Sequence, residues 1–96
     1  MDNQVLLNIL YDYYGELLTD KQKNYFKDYY FDNLTLSEIS ENYNISRNAI
    51  HKSLKEIEEK LMYYEEKLKL YEKNIKIKKI IANLDDDLKN KIIELI

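Results

Sequence analysis

Two helix-start signals lie close together in the middle of this chain, with a turn residue between them. Thr35 and Glu38 have the capping-box spacing, in which each side chain accepts a hydrogen bond from a free backbone N–H at a helix start. Ser46 has the side chain to cap a second helix in the same way. Asn44 lies where the chain must turn, and asparagine tolerates the left-handed backbone that such a turn needs. The segment therefore predicts two helices joined by a tight turn, a helix-turn-helix.

The second helix of this unit has one apolar and one donor-rich face, because residues three or four positions apart lie on the same side. The inward residues are Ala49, Ile50, Leu54 and Ile57. The outward residues are Ser46, Arg47, Asn48, His51, Lys52 and Lys55. Arginine and lysine pair with guanine or phosphate, and asparagine pairs with adenine. We predict that these six bind nucleic acid, the first and last at phosphates and the others near bases.

Charge and composition limit the class of protein. The 96 residues carry a net charge of −3, which argues against tight non-specific DNA binding, so RNA and protein stay open as partners beside DNA. The length suits one compact unit that buries about two-thirds of its unfolded surface. The chain has no Cys and a single His, so we predict no catalytic site, no metal site and no cofactor. Without a basic leader or an apolar run of ~18 residues, a cytoplasmic protein with no membrane insertion is expected.

Two further helices are predicted before the helix-turn-helix. Residues 4–14 have apolar side chains at helical spacing, and Gly15 is placed to end that helix. Thr19 and Gln22 repeat the capping box, which starts a helix over about residues 20–31. Its predicted inner stripe consists of Tyr25, Phe26, Tyr29 and Tyr30. Both helices are expected to support the helix-turn-helix.

A heptad pattern continues beyond the second helix of the unit without an interruption. It comprises Ile50, Leu54, Ile57, Leu61, Tyr64, Leu68, Tyr71 and Ile75. Its first half must pack on the preceding helices, whereas the second half can pair with another copy or pack within the chain. We expect a homodimer through Leu61, Tyr64, Leu68, Tyr71 and Ile75. The predicted division is a helix-turn-helix domain over residues 1–60 and a helical extension, serving oligomerisation, over residues 61–96.

The last part of the extension contains a basic stretch and a final helix. Residues 76–81, three lysines and three isoleucines, form a short basic amphipathic stretch, which favours a solvated helix face over contact with a membrane or RNA. Asn83 or Asp85 is expected to cap a helix whose inward residues are Leu88, Ile92 and Leu95.

Several short motifs resemble the YlxM proteins, small bacterial proteins similar to region 4 of sigma factors. The matching stretches are Leu18-Thr19 with Lys21-Gln22, Tyr29-Tyr30 before Asp32, Leu36-Ser37-Glu38-Ile39, and Ser46-Arg47-Asn48-Ala49-Ile50 leading into Lys55. The likeness runs from about residue 5 to residue 75. Asp20 stands where proline is usual, and Ser40 stands where alanine is usual. Asn48 stands where glutamine is usual, and this difference would alter any base preference.

The resemblance implies an all-α, sigma region 4-like fold with a long helical extension, and it does not imply a catalytic activity. It also implies a role in the signal recognition particle pathway. Two functions compete on this basis. One is a nucleic-acid-binding regulator, in which a dimer presents two recognition helices. The other is an accessory factor of co-translational targeting, with no DNA role, that binds the particle's RNA or protein components.

Overall fold

The computed structural model describes residues 3–96, and within that range the secondary structure is entirely helical. The helices are α1 (Asn3–Tyr14), α2 (Asp20–Phe26), α3 (Leu36–Tyr43), α4 (Arg47–Leu68), α5 (Leu70–Ile81) and α6 (Asp86–Ile93). A 3₁₀ turn (Gly15–Leu17) follows α1, and a π-helical turn (Lys27–Phe31) continues α2. The all-α class predicted from the sequence is confirmed.

One hydrophobic core joins α1, α2 and α3 to the first four turns of α4. Its members are Leu7, Leu10, Tyr14, Leu18, Tyr25, Phe26, Ile39, Ile50, Leu54, Ile57 and Leu61. Within it the rings of Tyr11 and Phe26 stack with their centroids 4.5 Å apart. The helix that carries the predicted recognition face is therefore also the central element of the core.

Both predicted capping boxes are present and define where α2 and α3 begin. The Thr19 hydroxyl accepts from the Gln22 N–H at 3.1 Å, and the Gln22 side chain accepts from the Thr19 N–H at 3.0 Å. Thr35 and Glu38 exchange the same pair of hydrogen bonds at 3.1 and 3.0 Å. These bonds satisfy N–H groups that have no partner within their own helix.

The helix over residues 20–31 differs from the prediction in its second half. At Lys27 it widens into a π-helical turn, and the Asp32 N–H donates to the Lys27 carbonyl at 2.9 Å. The extra residue in that turn rotates the following side chains relative to a regular helix. Tyr25 and Phe26 are buried as predicted and Tyr30 is half-buried, but Tyr29 is exposed, so its assignment to the inner stripe was wrong.

The heptad pattern does not form one continuous helix, which corrects the prediction. Lys69 adopts a left-handed conformation with φ 54°, and its N–H donates to the Glu65 carbonyl at 2.8 Å, which ends α4. Leu61 is fully buried within its own chain, while Tyr64 and Tyr71 pack partly against the same core. These three residues follow the intrachain alternative. Leu68 is exposed and Ile75 is half-buried, so both side chains have accessible surface that the predicted dimer could bury.

Two side chains hold the break between α4 and α5, and we call them the Tyr14–Glu65 joint. The Glu65 carboxylate accepts from the backbone N–H groups of Tyr71 and Glu72, each at 3.1 Å. The Tyr14 hydroxyl donates to Glu65 and accepts from the Leu70 N–H at 3.0 Å. The joint thus provides partners for the first three N–H groups of α5, which a regular helix would leave unbonded.

The C-terminal part extends beyond the core. Asp85, one of the two predicted caps, accepts from the Leu88 N–H at 3.0 Å and starts α6. Ile92 is half-buried, but Leu88 and Leu95 are exposed, so the predicted inward face of this helix was wrong for both. The molecule measures 53 × 24 × 24 Å with a radius of gyration of 16.8 Å, against about 12 Å for a compact chain of this length. The molecule is therefore elongated.

No helix in residues 3–96 is both long and apolar enough to cross a lipid bilayer.

The joint predicts that Glu65→Ala destabilises the fold. The substitution leaves two N–H groups and the Tyr14 hydroxyl without their acceptor, and we expect the free energy of unfolding to fall by about 2 kcal/mol. Urea unfolding followed by circular dichroism measures the change. Glu56→Ala, at an exposed position of the same helix, is the matched control and should shift the value by less than about 0.5 kcal/mol. Equal effects of the two substitutions would contradict the role of the joint.

The same joint predicts loss of stability at alkaline pH. Burial, together with the hydrogen bond to Glu65, raises the pKa of Tyr14 from 10.0 to about 12. The folded state therefore favours the neutral phenol, and its stabilising contribution is complete below about pH 10 and lost as the pH rises to about 12. Tyr14→Phe should make the unfolding free energy fall less steeply over that interval. An unchanged slope in the variant would show that Tyr14 does not contribute.

Candidate nucleic-acid interface

The turn between α3 and α4 fixes the direction in which α4 leaves. Asn44 has φ 54° and ψ 46°, the left-handed conformation predicted for it. Its N–H donates to the Glu41 carbonyl at 3.3 Å, and the Ile45 N–H donates to the Ser40 carbonyl at 3.0 Å. This pair of bonds is the Schellman arrangement that closes a helix end. Ile45 also packs against the core, so the angle between the two helices is held by both bonding and burial.

The start of α4 is held by a cap and by an anchored face. The Ser46 hydroxyl oxygen accepts from the Ala49 N–H at 3.0 Å, as predicted. Ile50 and Ile57 are completely buried and Leu54 nearly so. The apolar side of the helix is therefore fixed, and its opposite side must face away from the core.

All six residues of the predicted recognition face lie on the surface. We call this set the donor face: Ser46, Arg47, Asn48, His51, Lys52 and Lys55, each of which is exposed. The first turn of α4 contains no acidic residue, and the first carboxylate along the helix is that of Glu56. The positive end of the helix dipole lies at this first turn, beside Arg47. The structure thus brings the six residues together, uncovered, at the positive end of one helix.

Two hollows flank the donor face, and Tyr29 contributes to both. Arg47 lines one of about 440 Å³ together with Tyr29, Thr35 and Leu36. His51 and Lys55 line another of about 340 Å³, again with Tyr29. Sequence reasoning missed Tyr29 because a regular helix would place it inside, and nothing in the sequence announces the π-helical turn that exposes it. Its ring and hydroxyl add a stacking surface and a donor beside the face.

The second hollow also has a neutral phenol and a carboxylate at its edge. Burial raises the pKa of Tyr30, and the negative charge and hydrogen bond of Glu58 raise it further. Tyr30 therefore stays protonated at neutral pH. Because Glu58 lines the same hollow as Lys55, positive potential is concentrated toward the Ser46 end of the face, away from this carboxylate.

A capped pair of helices, a left-handed turn and an exposed donor face define a helix-turn-helix protein. Residues 1–96 match the UPF0122 family, described as "Putative helix-turn-helix protein, YlxM / p13 like". The chain belongs to this family, which confirms the resemblance seen in the sequence.

Three relatives illustrate the extent of the similarity. A UPF0122 protein of Listeria welshimeri is 44% identical over 85 residues, which are 88% of this chain and 77% of that protein. One from Desulforamulus reducens is 51% identical over 55 residues, 57% of this chain and 47% of the relative. One from Malacoplasma penetrans is 53% identical over 55 residues, 57% of this chain and 51% of the relative. The matched stretch thus spans about half the length of the last two.

The left-handed turn makes a specific prediction for Asn44. Alanine is disfavoured at φ 54°, whereas glycine adopts this conformation without a Cβ penalty. Asn44→Ala should therefore be less stable than Asn44→Gly by about 1 kcal/mol in urea unfolding. Equal stability of the two variants would mean that the turn is not left-handed in solution.

Proposed function

We propose that the donor face of α4 binds nucleic acid, and that the protein is a cytoplasmic regulator acting through this contact. The observation that carries the proposal is that all six donor-bearing residues are exposed on a helix whose other side is buried. A helix held this way fits the major groove of duplex DNA, which accommodates one α-helix.

The side chains of the donor face divide into two roles. The Ser46 hydroxyl has a hydrogen left to donate, and Lys55 carries a charge, so both suit phosphate oxygens. Arg47 and Asn48 lie in the first turn, where recognition helices contact base edges. Arginine pairs bidentately with guanine and asparagine with adenine, which gives this end of the helix the means to distinguish sequences.

Charge supports a selective contact rather than general affinity for DNA. The chain has a net charge of −3, and the donor face has three cationic residues that are always charged. Even if all three contacted phosphates, the logarithm of the affinity would fall by only about 2.7 for each tenfold rise in salt concentration. Affinity from one copy is therefore modest, and we propose that a homodimer presents two donor faces about 34 Å apart, one helical turn of DNA.

A second function is favoured by the acidic overall charge, which suits a protein partner better than bulk DNA. In this proposal the protein is an accessory factor of the signal recognition particle pathway, the role that the YlxM resemblance implies. Its donor face would then bind the particle's RNA or protein. Calorimetry with the reconstituted particle tests this, and the absence of micromolar binding would count against it.

Substitutions on the donor face should weaken binding to nucleic acid. Arg47→Ala is expected to reduce affinity for fragments of the protein's own operon by about tenfold or more, as measured by fluorescence anisotropy at low salt. Lys55→Ala should flatten the salt dependence by about one phosphate contact. Lys67→Ala, exposed on the same helix but about 18 Å beyond Lys55, is the control and should change neither. Wild-type affinity equal to that for random DNA would contradict a sequence-reading role.

A further inference from the structure

A groove with acidic edges lies along the middle of α4, and one end of it reaches Lys55 of the donor face. It has a volume of about 660 Å³, and within residues 3–96 its lining comes from α1 and α4 alone. Leu7, Met62 and Tyr63 supply apolar surface, and Met62 and Tyr63 are 44% and 55% exposed. Four carboxylates also line it: Glu65 is held in the Tyr14–Glu65 joint and Glu58 is bonded to Tyr30, whereas Glu59 and Glu66 are exposed. An apolar floor with acidic edges suits a helix that carries lysines around an apolar centre.

The chain itself contains such a helix in α5. Lys76 and Lys79 are exposed there; Lys76 forms an ion pair with Glu72 at 2.9 Å, and no acidic residue occurs from Lys73 to Leu84. Ile80 is 79% exposed and lies one position after Lys79 and four positions after Lys76. This outer surface of α5 is therefore a basic strip around an apolar side chain.

The inner surface of α5 is already occupied within its own chain. Tyr71 packs on Tyr13 with ring centroids 6.0 Å apart, and Lys73, Asn74 and Ile77 face the end of α1 and the C-terminus. The outer strip thus has no apolar cover in the described chain, although Ile80 is large and apolar.

We propose that the outer strip of α5 docks into the acid-edged groove of a second copy. Lys76 and Lys79 lie next to Ile80 on α5, and Glu59 and Glu66, seven positions or about 10.5 Å apart, lie on one side of α4. The opposite charges therefore fit across the interface while Ile80 meets Met62 and Tyr63. Each copy offers one groove and one α5, so a two-fold axis closes the pair with two equivalent contacts.

This interface rests on the proposed homodimer but not on the proposed binding of nucleic acid. It also places the contact on residues that do not belong to the heptad pattern. An anionic membrane is the other surface that a basic, apolar strip would suit, but it leaves the complementary groove without an occupant.

Charge exchange between the two surfaces tests the proposal. Lys76→Glu with Lys79→Glu places acid against acid, and Glu59→Lys with Glu66→Lys places base against base. Each double variant alone should dimerise about tenfold or more weakly than wild type by sedimentation equilibrium. Mixed one to one they should form a heterodimer, because both contacts then pair opposite charges. Lys21→Glu with Lys27→Glu, at exposed positions of the α2 region, is the control and should dimerise like wild type.

The possible results separate the proposals. A dimeric wild type whose two double variants dimerise unchanged would overturn the groove and leave the homodimer in place. A wild type that is monomeric at every concentration would overturn both the groove interface and the homodimer. The Arg47→Ala experiment tests nucleic-acid binding independently of either result. A monomeric wild type that binds phosphatidylglycerol vesicles, and loses this binding with Lys76→Glu and Lys79→Glu, would assign the strip to membranes instead.

Discussion

The burial of one face of α4 is the interaction on which the rest of the structure depends. Ile50, Leu54, Ile57 and Leu61 occupy successive turns of that helix and are enclosed by α1, α2 and α3. Burying a side chain of this size contributes about 1.5–3 kcal/mol, and each one also fixes the rotation of the helix about its axis. The donor face is therefore held in place by core packing rather than by contacts of its own.

Local chemistry accounts for the parts of the fold that the sequence predicts well. Caps at Thr19, Thr35, Ser46 and Asp85 satisfy N–H groups within three residues, so the signal and its partner lie together in the sequence. The same holds for Asn44, whose left-handed turn needs only one residue. The six positions of the donor face followed from the helix start and its period. Their exposure agrees with the prediction, while their role in binding is a proposal.

The predictions from the sequence fail where side chains far apart in the sequence determine the backbone conformation. The break at Lys69 depends on Glu65 and on Tyr14, which is 51 positions away from Glu65 in the sequence. A heptad pattern cannot reveal such a partner, and lysine is not a residue that signals a left-handed turn. The π-helical turn that exposes Tyr29 is likewise invisible to periodicity, since one inserted residue rotates every later side chain. This turn is the reason that Tyr29 lies beside the donor face.

Charge is distributed in separate zones although the total is only −3. The start of α4 is basic, its middle has an acidic groove, and α5 is basic again. A short chain with such zones has surfaces for two different partners, which is consistent with one end contacting nucleic acid and the other a second copy.

The central claim is that the donor face is the surface that meets nucleic acid, and an NMR titration tests it most directly. Amide resonances of the protein would be followed as an operon DNA fragment is added. The account predicts shifts concentrated in residues 46–55 and at Tyr29, while residues 73–80 stay unchanged apart from effects of dimerisation already present without DNA. Shifts confined to the lysines of α5, or none at the start of α4, would contradict it.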